Sequence, residues 1–148
     1  MRIPLLLLMM LLPWHVMAQS TPAQSRDPGQ TLEAFHAAIG SGDAAVARSL
    51  LAADAVILES GETETVDQYF SHHFGIDGEF ARAVARTDVE SRVEVRGDSA
   101  WINATSIMKG NFRGKTVNSS NAESAILVRT DGQWRIHAVH WSSHAITR

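Results

Sequence analysis

The sequence predicts an α+β domain in which one face of a curved antiparallel sheet wraps three N-terminal helices. Three observations carry this. Apolar residues recur at steps of three and four in the first half of the chain, alternation at a step of two takes over after Ala85, and glycine-containing turns divide the second half into runs of strand length.

The chain opens on Met1-Arg2, an unbroken apolar run from Leu5 to Leu12, and Val16-Met17-Ala18. This pattern predicts a signal peptide over residues 1–18, cut after Ala18, and a mature chain that is periplasmic or secreted. The apolar run falls short of the roughly 20 residues that a membrane-spanning helix needs, so no membrane partner is expected once the leader is removed. Residues 19–29 are polar, carry two Pro and a Gly and show no periodicity, which predicts a disordered lead-in to a single domain over 30–148.

Leu32, Phe35, His36 and Ile39 predict the first helix, Gly40-Ser41-Gly42 its end, and Asp43 the cap of a second helix. The second places Val46, Leu50 and Leu51 on one face and stops near Asp54, where Ala55 to Leu58 reads as a strand ending at Ser60-Gly61. Thr63 or Thr65 caps a third helix, with Val66, Tyr69, Phe70, His73, Asp77, Phe80 and Val84 along one side and a kink or stop near Gly75. Four strands follow: Val89 to Val95, Ala100 to Met108, Val117 to Arg129 and Trp134 to Ser142. Hairpin turns are expected at Arg96-Gly97-Asp98, Lys109-Gly110-Asn111 and Thr130-Asp131-Gly132.

Composition excludes several functions. With no Cys there are no disulfides, thiol nucleophiles or thiolate ligands. The net charge of −3 and the lack of clustered Lys and Arg argue against nucleic acid. There is no phosphate-binding glycine loop, no G-x-S-x-G elbow and no dinucleotide fingerprint, so no cofactor is expected.

The order of elements, the segment Tyr69 to Phe80 with His72-His73 and Asp77, and the ending Asp131-Gly132-Gln133-Trp134-Arg135-Ile136 through His140-Trp141-Ser142-Ser143 resemble the nuclear transport factor 2-like (NTF2-like) superfamily. It is also called SnoaL-like or ketosteroid isomerase-like, and the chain is similar to an exported bacterial group of unknown function within it. The resemblance implies a cone-shaped α+β barrel with an interior pocket, often a homodimer through the outer face of the sheet. It does not carry over the steroid isomerase mechanism, which pairs a Tyr of the first helix with a carboxylate base. Here that helix has Phe35 and His36, and Tyr69 is the chain's single Tyr. Ala138 also stands where the exported group more often has a second His.

Strand alternation puts Trp134, Ile136, Ala138, His140 and Ser142 on the more apolar face, with His137 and Trp141 opposite, where Trp141 suits a dimer contact. On the third helix His73 and Asp77 share a side, flanked by Tyr69 and Phe80. The expected catalytic set is therefore His73, Asp77 and His140, and the expected ligand-binding set Tyr69, Phe80, Glu59, Trp134 and Ser142. Glu62 is an alternative to Glu59, and His36 is assigned to the helix surface or pocket rim. Asp77 would orient His73 as an acid or base acting on a small, partly apolar organic molecule, by isomerisation, dehydration or hydrolysis. The same residues also fit a non-catalytic binding or dimeric interaction module, or a His/carboxylate metal site. The last is the less expected, because two His on different elements lack the spacing of a ligand motif, and no metal residue is assigned. The sequence does not decide whether the protein is an enzyme.

Overall fold

In the computed structural model, residues 26–147 are described; the expected leader and most of the lead-in lie outside them. The first helix, α1 (Pro28–Ser41), starts at a reciprocal cap. The Asp27 side chain accepts from the Gln30 N–H at 2.8 Å, and the Gln30 side chain accepts from the Asp27 N–H at 3.1 Å. Pro28 at the first helical position needs no partner for a missing N–H, so helix begins two residues before the expected domain start. Gly42, at φ 75°, ends α1, and Asp43 caps α2 (Ala44–Ser49).

The second helix stops before Leu51 rather than near Asp54, because β1 (Leu51–Glu59) is claimed by the sheet. Of the face expected inward, Leu50 and Leu51 are buried but Val46 is 40% exposed, and Ala47 is buried in its place. Ser60 and Gly61, both with positive φ, turn β1 into β2 (Glu62–Thr65). The sequence reading missed β2, since Glu-Thr-Glu-Thr has no apolar alternation. Thr65 then caps α3 (Val66–His72), which His73 separates from α4 (Phe74–Ala83). There are thus four helices among the described residues where three were expected, and the break falls at His73 rather than Gly75.

The strands β3 (Val84–Arg96), β4 (Ser99–Phe112), β5 (Lys115–Thr130) and β6 (Gln133–Ala145) are longer than their apolar cores suggest. Two expected turns, at Gly97 and at Asp131-Gly132, are where they should be. The middle one is not: the chain turns at Arg113-Gly114, and Gly110 lies inside β4. Gly110 is there for close approach, since a Cβ at this position would stand 2.6 Å from the Ala83 carbonyl oxygen.

The six strands form one sheet in the order β2-β1-β6-β5-β4-β3. Every pair is antiparallel except β1 with β6, which is parallel. The sheet is curved and unclosed, the cone of the NTF2-like fold. Register shifts at Asp88/Glu90 and between Ile126/Leu127 and Ala138/Ile136 help it bend. The second shift leaves His137 unpaired in the β5–β6 ladder and reverses the alternation of β6. Trp134 and Ile136 are buried before it, and Val139 is buried and Trp141 half-buried after it. The core packs α1 residues Leu32, Phe35 and Ile39 against Ile57, Ile102, Leu127, Ile136 and Val139 of the sheet.

Replacing Gly110 by Ala should destabilise the domain by about 1–3 kcal/mol in urea unfolding, because the two nearest neighbours of the new Cβ are backbone atoms. Gly75→Ala, with open space around its Cβ and no positive φ, should cost nothing.

Candidate functional site

A cavity of about 1030 Å³ opens between the helices and the concave face of the sheet. Its walls are apolar at Ile39, Phe80, Val84 and Met108. Among its polar groups are two clusters, one around Asp77 and one around Glu123.

The first cluster forms at the α3–α4 break. Tyr69 is fully buried, and its hydroxyl donates to Asp77 Oδ2 at 2.9 Å. In an unbroken helix these residues would be about 12 Å apart along the axis. The deviation at His73 is what allows the phenol to reach the carboxylate. Burial raises the Asp77 pKa above the usual carboxylate range, and the Tyr69 hydrogen bond only partly offsets this. Burial, followed by the nearby Asp77 charge, likewise raises Glu59, which lines the cavity from β1. The Tyr69 phenol is driven upward by burial and by Asp77, so it remains a donor. Asp77 Oδ1 and the Glu59 carboxylate accept no side-chain hydrogen bond among the described residues.

His73 makes no hydrogen bond to this cluster, although its charge acts on Asp77 and Glu59. Its Nδ1 lies 2.6 Å from Oε2 of Glu64, a buried residue of the unforeseen strand β2, and that hydrogen bond raises the imidazole pKa. The expected His73–Asp77 dyad is therefore replaced by two separate pairs, Tyr69–Asp77 and His73–Glu64. His140 borders the cavity but bonds to neither pair. Beyond the β6 irregularity it stands between Val139 and Trp141, so its side chain is exposed on the outer face, paired in register with exposed Ser124. Ser142 follows the same alternation and borders the cavity at its rim. Trp134 is buried away from the cavity with the Arg129 guanidinium 5.1 Å over its ring. Phe80 and Glu59 do line the cavity, and Phe80 meets Phe112 edge-on at 5.2 Å. Glu62 is exposed in β2. Among the described residues no three His, Asp or Glu side chains are grouped to hold a metal ion.

The second cluster went unrecognised in the sequence. Glu123 of β5 is 8% exposed, and its Oε1 accepts from Trp141 Nε1 at 2.7 Å and from His36 Nε2 at 2.8 Å. Trp141, expected at a dimer contact, instead faces inward, stacked on Phe35 at 6.5 Å and tilted against Tyr69 at 6.3 Å. Arg86 of β3 completes the cluster, with Nη1 2.6 Å from His36 Nδ1 and Nε 2.8 Å from Asp88 Oδ1. A signal was present. Glu123 falls in phase with Ala125 and Leu127 on the buried face of its strand, and His36 sits in the apolar stripe of α1.

Two effects compete at His36. Burial lowers its pKa, but the hydrogen bonds to Glu123 and Glu33 outweigh this and raise it to about 9. The Arg86 contact needs a bare Nδ1, so protonation there must displace Nη1. Two carboxylates outweigh one guanidinium that keeps its bond to Asp88, and the raised direction prevails. Glu123 shifts the other way: burial raises it, but His36, Trp141 and Arg86 together lower it.

The family described as SnoaL-like domain matches residues 29–147. A solved structure from Shewanella frigidimarina, provisionally named a ketosteroid isomerase, is 34% identical with a TM-score of 0.74, over 77% of this chain and 93% of that one. An NTF2-like protein from Cytophaga hutchinsonii is 18% identical with a TM-score of 0.62, over 77% and 93%. The association domain of C. elegans CaMKII is 18% identical with a TM-score of 0.60, over 77% and 91%. The last two share the fold alone. No curated protein matches the chain.

A His whose folded pKa is raised adds stability that is complete below its unfolded value near 6.5 and is lost as pH rises through about 9. Urea unfolding between pH 7 and pH 10 should therefore show wild type losing stability, by up to about 3 kcal/mol, relative to His36→Gln. Parallel pH profiles for the two proteins would refute a charged His36.

Proposed function

Because the chain belongs to the SnoaL-like domain family, we propose that its cavity binds a small, partly apolar organic molecule and moves a proton on it, with Asp77 as the base. One observation carries the reading. Asp77 presents Oδ1 without a side-chain partner at the wall of a mostly apolar cavity, while Tyr69 holds Oδ2 and burial raises the carboxyl pKa. Desolvation strengthens a carboxylate as a base, and the phenol fixes its rotamer. Such a group suits abstraction of a proton from carbon next to a carbonyl, the core step of an isomerisation. The provisional name of the Shewanella frigidimarina relative points to the same class. Asp77 thus takes the role the sequence suggested for His73, and Tyr69 positions it.

The test is a panel of β,γ-unsaturated ketones, followed by the absorbance of the conjugated product. Asp77→Asn should lower kcat by about 10²-fold or more. Its Tm should not fall, because a raised carboxyl pKa costs stability above that pKa and the amide still accepts from Tyr69. His73→Gln should leave turnover within a few-fold. Turnover by Asp77→Asn at the wild-type rate would sink the reading, and binding without turnover by wild type would leave a binding module.

We further propose that the mature chain is exported and pairs with a second copy through the outer face of the sheet. On that face Ile126, 49% exposed, lies in register between Trp101 and Ala138, with His140 in the next row. The apolar run from Leu5 to Leu12 supports export. Expressed as the full chain in a bacterium, the protein should yield a mature species beginning at Gln19 by mass spectrometry and a dimer by light scattering. Ile126→Asp should give a folded monomer; a monomeric wild type, or an uncut leader, would remove the corresponding half of the proposal.

A further inference from the structure

The Glu123 cluster is built more tightly than proton transfer at Asp77 requires, and it leaves two atoms uncommitted. Glu123 Oε1 accepts from both Trp141 and His36, which locks the carboxylate in place. Among the described residues no hydrogen bond reaches its Oε2, and Arg86 Nη2 stands 3.9 Å away. That guanidinium is itself held, by Nε on Asp88. Its Nη2 is 3.8 Å from Glu33 Oε1 and 3.9 Å from Glu123 Oε2, beyond a hydrogen bond in both directions. A fixed acceptor and a fixed donor therefore stand side by side in residues that both line the cavity, and Glu123 is more than nine-tenths buried.

We infer that Arg86 Nη2 and Glu123 Oε2 form a two-point recognition site for a neutral group that offers an acceptor and a donor next to each other, a primary carboxamide or the edge of a lactam. The oxygen and nitrogen of an amide are about 2.3 Å apart, so two slightly splayed hydrogen bonds reach a protein pair set 3.9 Å apart. Groups of one sign are opposed: an ammonium bonding to Glu123 lies against Arg86, and a carboxylate bonding to Arg86 lies against Glu123. A ketone or ester can use the donor but leaves the buried acceptor unpaired. This rests on the reading of the cavity as a small-molecule site and names the polar end of its ligand.

Trp141 reports on the site, because its indole N–H is bonded to the same carboxylate. Benzamide, methyl benzoate, benzoate and benzylamine share a ring and differ in the recognised group. Each is titrated into the full mature chain while the Trp141 indole signal, assigned with Trp141→Phe, is followed by nitrogen–proton correlation spectra. Benzamide should bind about tenfold more tightly than the other three. Glu123→Gln, which turns the free acceptor into a donor, should move the preference to benzoate. Arg86→Met, on the edge strand, removes the donor and should abolish the benzamide preference even if the Gln variant does not fold. Equal binding of all four probes with shifts at Trp141 overturns the donor–acceptor site and leaves the cavity reading standing. So does a benzamide preference that survives in Arg86→Met. Absence of shifts from every probe at cavity residues overturns both.

Discussion

The irregular step at His137 decides what the last strand contributes. Without it, alternation from buried Trp134 and Ile136 would carry His140 to the concave face and Trp141 to the convex one. With it, Val139 and Trp141 face inward, and Trp141 brings both a large ring and a donor into the cavity. That donor fixes Glu123, which holds His36, and the ring packs between Phe35 and Tyr69. The Glu123 cluster thus depends on one extra residue in a ladder. Bulges are commonly retained where they re-aim a side chain, and this one re-aims a whole strand end.

Two acids of the cavity, buried Glu123 and half-buried Asp77, show how differently desolvation can be resolved. Glu123 is met by an imidazole, an indole and a guanidinium, and these overcome the cost of desolvating its charge, so it stays ionised. Asp77 receives one neutral phenol, which is not enough, and its pKa rises. The first arrangement suits holding and recognition, because a well-satisfied carboxylate is a poor base. The second suits proton transfer. The division follows from the donors within reach, and those are set by which elements meet: α1, β3 and β6 around Glu123, but only the α3–α4 bend around Asp77.

Much of the fold was legible because it is carried by local chemistry. Gly42 with Asp43, Gly97 and Asp131-Gly132 are turn and cap signals that need no tertiary context, and alternation marks the cores of the last four strands. What was not legible depends on partners distant in sequence. Glu62 to Thr65 is a strand because β1 offers an edge, not because its residues prefer one. Gly110 resembles a turn residue but serves the approach of the Ala83–Val84 backbone. Of the residues expected from helical spacing and a nearby loop, Asp77, Phe80 and Glu59 line the cavity, and Tyr69 bonds to Asp77. The proposed dyad failed because an i, i+4 pair assumes an unbroken helix, and the helix breaks at His73 itself. His140 leaves the inward-facing set of β6 because a one-residue slip exchanges faces.

The persistence of the cavity has its own cause in the strands. Along the concave face β4 runs from Ala100 and Ile102 through Ala104 to Ser106, and β5 from Leu127 and Ala125 through Glu123 to Asn121 and Ser119. At the first end these positions are apolar and fully covered by α1, giving a closed core. At the other they are short or polar, too small to meet the helices and too polar to be sealed without partners. Filling that end with Leu or Ile would add apolar burial at about 25 cal/mol per Å² but would remove the space. The same two strands thus build a core at one end and leave a chamber at the other, and the polarity gradient along them places the Glu123 cluster at the boundary between the two.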